Sequence, residues 1–227
     1  MSSALVAFWN RWVHEPWVVN RPFERVLRQY RGYVQGRLLD VGCGRKPYRT
    51  LYAKRVSWYL GVDIPRSPHH TADVFGDAQA LPFRSASFDT VLCTHVLVHV
   101  PEPHQAIGEM SRVLKAGGVL ILSARQMWHV YTPRDYYRFT AAGLRYLAEQ
   151  HGLEVVSVIP VGGWWGRSGV KLTYWLHSLN RRSIRWLTEI PLGAVILATQ
   201  AVCYCLDQLL FTADDVVFNI LITRKKS

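Results

Sequence analysis

The chain has 227 residues, enough for one domain with a sizeable core. Its formal charge is +11 and its pI near 9.8, a balance that suits nucleic acid, an anionic membrane surface, an acidic substrate or simply a solvated basic surface. The four cysteines, Cys43, Cys93, Cys203 and Cys205, lack paired metal spacing, so neither a zinc site nor a disulfide framework is expected; they read as buried free thiols in a reducing compartment.

Residues 1–35 read as an N-terminal arm and a helix. The first twenty are aromatic-rich, with Trp9, Arg11, Trp12 and Glu15 where a secretory signal would need a continuous apolar core. Asn20 to Tyr33 places Phe23, Val26, Leu27 and Tyr30 at helical spacing, with Asn20 as cap and Pro22 in the first turn. Strands are expected at about 37–41, 58–63, 72–75 and 89–94, the third short and the fourth with an acidic-apolar start that fits a buried parallel strand. A helix follows from Pro103 to Leu114, ended by Ala116-Gly117-Gly118, then a strand at about 119–123. Thr140 caps a helix through Glu149, and a strand at about 153–160 closes the core, residues 36–160. About fifty residues, 161–215, then intervene before a last strand within 216–227. Leu172, Trp175, Leu176, Leu179 and Trp186, beside Lys171, Arg181, Arg182 and Arg185, suggest an amphipathic stretch with a basic side. Ile190 to Leu206 carries no charge. Three readings are open for it: a buried or half-buried helix, a helix on a membrane surface, or a span at the short limit of length.

The chemistry begins at Leu38-Leu39-Asp40-Val41-Gly42-Cys43-Gly44 and Tyr59-Leu60-Gly61-Val62-Asp63. An apolar strand, a glycine turn and a second strand ending in an acid are how a doubly wound sheet holds a nucleoside. Gly42 and Gly44 let the backbone approach the ligand, and Asp63 stands where an acid meets both ribose hydroxyls. Pro47 occupies the position of the third glycine of the dinucleotide fingerprint, so a nucleoside without a diphosphate fits better.

Three further blocks follow in order: Gly76 to Phe83, Ser87 to Val100, and Leu114 to Leu122. With the first they make the chain resemble a class I S-adenosylmethionine (SAM)-dependent methyltransferase of the type 11 family, over about residues 24–160. The resemblance implies an α/β fold: a Rossmann-like, doubly wound, seven-stranded sheet, here with a helical insertion between its last two strands. It implies SAM as cofactor. Asp40 would orient the turn or meet the methionine amino group. Asp77 and the Ala78 amide would read adenine, with an Asx turn as the structural alternative for Asp77. Thr94 and His95 would flank the methionine moiety, and Arg45 and Lys46 could steady its carboxylate. Relatives commonly carry a Glu-His pair where this chain has Val98-His99, so His99 stands without that acid, as a base, a substrate contact or a structural residue. The segment Trp128 to Thr140 resembles one found in bacterial relatives, and because ligands in such sheets bind beyond the carboxyl ends of the strands, it is expected to overhang the methyl group. His129 is a second candidate base there, with Tyr131, Tyr136, Tyr137 and Arg138 as candidate acceptor contacts.

The implied activity is methyl transfer to a small-molecule, lipid-linked or glycan-linked acceptor, in the cytoplasm. Association with the inner face of the membrane is a further expectation from the basic, Trp-rich insertion. Two other readings compete. An RNA or protein methyltransferase is disfavoured because Cys93-Thr94-His95-Val96 replaces an Asn-Pro-Pro-Tyr-type motif and no RNA-binding module is appended. A non-catalytic SAM-binding scaffold is disfavoured by the intact glycine turn and Asp63. No metal is expected, and oligomeric state is not legible.

Overall fold

The computed structural model describes residues 17–65, 67, 71–128, 130, 132–179, 185–213 and 215–226. They fall into two compact units. One comprises Leu27–Ile159 with Phe218 onward; the other comprises Pro160–Val217 with the chain up to Val26.

The first unit is a single sheet in the order β3-β2-β1-β4-β5-β7-β6. Its strands are β1 (Gly36–Val41), β2 (Val56–Asp63), β3 (Val74–Phe75), β4 (Phe88–Thr94), β5 (Leu114–Arg125), β6 (Leu153–Val161) and β7 (Phe218–Lys225). The β3-β2-β1-β4-β5 stretch is parallel, and β7 runs antiparallel to β5. Leu38, Leu39, Val91, Leu92, Leu120 and Ile121 are fully or almost fully buried, as expected of strands covered on both faces. The order reverses between β1 and β4. Loops leaving neighbouring strands therefore part there and open a crevice at their carboxyl ends.

Helix α1 (Trp17–Gln29) begins three residues before the expected cap at Asn20, so Pro22 lies inside it. Val18 and Val19 are fully buried, and the Val18 amide donates to Gln200 Oε1 at 3.3 Å. Tertiary burial of that first turn outweighs the cap signal and the backbone hydrogen bond that Pro22 removes. The last expected turn tightens into a 3₁₀ segment, Tyr30–Tyr33.

A short helix, α2 (Arg49–Tyr52), follows β1, and α3 (Pro103–Val113) follows β4. The segment read as the stop of α3 instead belongs to β5, which starts at Leu114. Pairing jumps from Phe88↔Leu114 to Thr90↔Val119, so Lys115–Gly118 form a bulge, with Lys115 Nζ 2.7 Å from Asp89 Oδ1. Orphan carbonyls at the end of α3 find a distant cation: Lys225 Nζ donates to the Ser111 and Leu114 oxygens at 2.7 and 2.8 Å. Thr140 caps α4 (Ala141–Gln150) by accepting from the Gly143 amide at 3.1 Å, as its sequence predicts.

The second unit packs α1 with α5 (Trp164–Leu179) and α6 (Arg185–Leu209). Arg25 donates to Tyr204 Oη at 2.8 Å and to Gln208 Oε1 at 3.3 Å. Asp207 is buried beneath the start of α5, where its two carboxylate oxygens accept the Gly163 and Gly166 amides at 3.0 Å each. A carboxylate there satisfies orphan N–H groups and complements the helix dipole. Further along, Gly169 faces Cys203, and a Cβ on Gly169 would lie 2.8 Å from Cys203 Cβ. Glycine at 169 is what lets α5 and α6 approach there. Of the cysteines expected to be buried, Cys43, Cys93 and Cys203 are, but Cys205 is exposed, because two residues along a helix turn the side chain to another face.

Candidate active site

The crevice at the switch point opens into a cavity of about 760 Å3. Its floor is the β1 turn. Gly42 has φ +66°, and a Cβ there would lie 2.2 Å from Val96 Cγ2. A glycine is therefore required on both conformational and steric grounds. Asp63, ending β2, lines the cavity. Its Oδ2 accepts the Gly44 amide at 3.0 Å and its Oδ1 accepts the Ile64 amide at 2.8 Å. A carboxylate has about four acceptor positions, so these two bonds fix its orientation and leave capacity for a diol.

Gly44 does not line the cavity; its amide instead positions Asp63, and its carbonyl accepts from Thr71 Oγ1. Asp40 does not reach the cavity either. It is 2% exposed under the turn and accepts a hydrogen bond from Tyr59 Oη. Burial pushes its carboxyl up to about 7, against the lowering effect of that bond. Of its two expected roles, a contact with the methionine amino group does not fit this position, whereas orienting the turn does. Lys46 points away as well. In a left-handed conformation with φ +54°, it lies across Gly61 and pairs with Asp73 at 2.6 Å. Burial opposes the Asp73 charge, but the Gly61 amide and Lys46 outweigh it and hold that carboxyl below its ordinary value.

On the far side of β2, Asp77, Ala78 and Gln79 line the wall. Asp77 Oδ1 accepts the Gln79 amide at 2.9 Å, so the Asx turn is present alongside its exposure to the cavity. Gln79 is a wall residue that the sequence did not single out. Its Oε1 accepts the Glu102 amide at 3.0 Å and ties this wall to the segment after β4.

Thr94 and His95 reach the cavity from the end of β4. His95 has φ +60°, a costly conformation for a residue with a Cβ and one that clusters at functional sites. Its amide donates to the Ser123 carbonyl at 3.1 Å, and its ring packs on Phe218 at 4.6 Å. Burial, then the charge of Arg125, pushes His95 down to about 3, so the ring is neutral at physiological pH.

His99, in the 3₁₀ turn Leu97–His99, lines the same cavity. Its Nδ1 is 3.0 Å from the Arg134 carbonyl oxygen. A carbonyl only accepts, so Nδ1 carries the proton and Nε2 is the basic nitrogen. The loop after β5 contributes Thr132, Pro133, Arg134 and Tyr136 to the same cavity. Arg134 was not singled out from the sequence; its neighbours in the Trp128–Thr140 segment were.

Two expected acceptor contacts are bonded to other protein groups instead. Tyr137 donates from its hydroxyl to the Pro101 carbonyl at 2.8 Å, and Arg138 makes a two-pronged pair with Asp135 at 2.5 and 2.8 Å. Both hold the loop, and neither lines the cavity. His129 and Tyr131 lie outside the described residues, as do Arg181 and Arg182.

The methyltransferase domain family matches residues 39–122. An uncharacterised methyltransferase of Mycobacterium avium (strain 104) is 30% identical over 191 residues, covering 73% of this chain and 74% of that one. The 24-methylenesterol C-methyltransferase 2 of Oryza sativa subsp. japonica is 30% identical over 207 residues, covering 75% of this chain and 57% of its own. Among solved structures, the [4+2]-cyclase SpnF superposes with a TM-score of 0.61 at 22% identity, over 90% of this chain and 81% of that one. That likeness concerns the fold.

Proposed function

The chain belongs to the class I SAM-dependent methyltransferases, and from that premise we propose that it methylates a small-molecule, lipid-linked or glycan-linked acceptor that His99 deprotonates. Bound SAM supplies an electrophilic methyl group on a sulfonium, already activated for in-line displacement. The protein is then left with proximity, orientation and proton removal. Gly42, Asp63, Asp77 and the Ala78 amide fit the nucleoside half: a turn without Cβ, an oriented carboxylate and a wall amide. Thr94 and His95 would hold the methionine half, and a neutral His95 would add no charge there.

The observation that carries the role of His99 is the 3.0 Å contact between its Nδ1 and the Arg134 carbonyl. It holds the ring in the tautomer whose Nε2 accepts a proton, without an acid at position 98. An acceptor O–H or N–H would deliver its proton to Nε2 as its new bond to the methyl carbon forms. Val100, Pro101, Pro133 and Tyr136 give this end of the cavity apolar walls, and Arg134 adds a cation. An acceptor with an apolar part and an anionic group suits that lining. The sterol named for the rice relative supports an apolar acceptor. We extend the reading to a cytoplasmic protein that works at the membrane's inner face.

The test is methyl release from labelled SAM across a panel of lipid-linked, glycan-linked and small acceptors, on parent and His99→Asn. The expected result is kcat lowered about 10²- to 10⁴-fold with SAM affinity unchanged. Unchanged kcat in the variant removes the base role.

A further inference from the structure

We infer that the outward face of α6, together with the exposed side of α5 that carries Lys171 and Trp175, is a docking surface for an anionic lipid bilayer. The two helices sort their residues sharply. On α6 the inward stripe is Gly193, Ile196, Gln200, Cys203 and Asp207, all buried, spaced three and four apart. The complementary stripe is Val195, Ala198, Val202, Cys205 and Leu209, all exposed. Val202 is 59% exposed and Leu209 78%. At 1.5 Å per residue the stripe runs about 21 Å, and it carries no charge. The segment Leu192–Leu209 has a mean hydropathy of 1.4, yet only 28% of it is buried. A continuous apolar face of this kind marks an interaction site.

The helix lies along a surface instead of crossing it because its other face is committed. Asp207 is held by the Gly163 and Gly166 amides, and Tyr204 and Gln208 accept from Arg25. Only one side is offered to a partner, which is the arrangement of an interfacial helix.

Charge selects the partner. From Val155 to Thr188 the sequence has five basic residues, Arg167, Lys171, Arg181, Arg182 and Arg185, and no acid. Arg167 is engaged by Asp215 at 2.8 Å. Lys171 is exposed on α5 beside Leu172 and Trp175, and Trp175 is 56% exposed. Tryptophan beside a cation is the composition of a headgroup boundary. The basic excess of this stretch disfavours a second copy of this chain as the occupant, whereas an anionic bilayer complements it.

This surface does not depend on the acceptor or on His99. The full chain is sedimented at low salt, where such attraction is strongest, with vesicles of phosphatidylglycerol and phosphatidylcholine and with phosphatidylcholine alone. The parent should pellet with the phosphatidylglycerol vesicles. Lys171→Gln should weaken that partition about fivefold and Val202→Asp/Leu209→Asp about tenfold or more. SAM-induced thermal stabilisation, unchanged in these variants, confirms folding and tests the cofactor reading separately. A parent that does not pellet with phosphatidylglycerol overturns the inference. Equal pelleting of parent and double variant overturns it too. So does a parent dimer that Val202→Asp converts to monomer, which would assign the face to a second copy.

Discussion

Asp63 is the residue whose role is most constrained by its surroundings. Two backbone amides fix both of its oxygens before any ligand arrives. Asp63→Ala should weaken SAM binding by about 1–3 kcal/mol, the scale for ribose donors left without a charged acceptor. Calorimetry on the folded variant is the measurement, and unchanged affinity would remove the assignment. Asp40 makes a prediction of opposite kind, about stability. Its carboxyl is raised from 3.8 to about 7, so the folded chain holds a proton that the unfolded chain has released. That contribution is complete below pH 3.8 and is lost as pH rises through about 7. Urea unfolding of the parent should therefore show stability falling relative to Asp40→Asn across this window, by an amount on the order of a few kcal/mol. A constant difference between the two proteins would show that Asp40 is ionised in the folded state throughout.

At the scale of elements, α5 depends on an acid forty residues away in sequence. Asp207 is the partner of two amides at its start, Gly163 just before it and Gly166 in its first turn, and its own burial is tolerable because both oxygens are satisfied. Asp207→Ala leaves two buried donors without an acceptor and should cost about 1–3 kcal/mol, read as a lower urea midpoint with an unchanged slope. A midpoint equal to the parent's would mean that water caps the helix equally well. The loop after β5 shows the same economy: Arg138–Asp135 and Tyr137–Pro101 hold it, which leaves Thr132, Pro133, Arg134 and Tyr136 to face the cavity. In β5 the glycines of the bulge read from sequence as a helix stop. Gly117 does adopt φ +72°, but within a strand.

For the whole molecule, the cavity's wall residues all belong to the sheet unit, and α1, α5 and α6 belong to the other. Binding of SAM should accordingly slow amide exchange around Gly42, Asp63 and Asp77–Gln79, and leave α5 and α6 exchanging as before. Mass spectrometry of exchanged peptides reads this directly. Equal protection in α5 and α6 would show that the two units open together.

Local signals in the sequence settled much of this. Apolar runs announced the parallel strands, Thr140 announced the α4 cap, and the glycine turn with an acid ending β2 announced a nucleoside cradle. Each is encoded by neighbours within a few residues, or by a spacing of about twenty that one βα unit imposes. The tertiary structure decided the rest. Asp40 meets Tyr59, Arg138 turns to Asp135, Lys225 reaches the end of α3, and α1 joins the α5–α6 pair through Val18 and Gln200. A single sequence cannot state these outcomes. Whether a charged side chain faces a cavity or a partner depends on which distant group is packed beside it, and burial then decides whether its charge survives. The face that α6 leaves uncovered is of the same kind. Its lack of charge was legible, but only packing could say which stripe the protein covers itself.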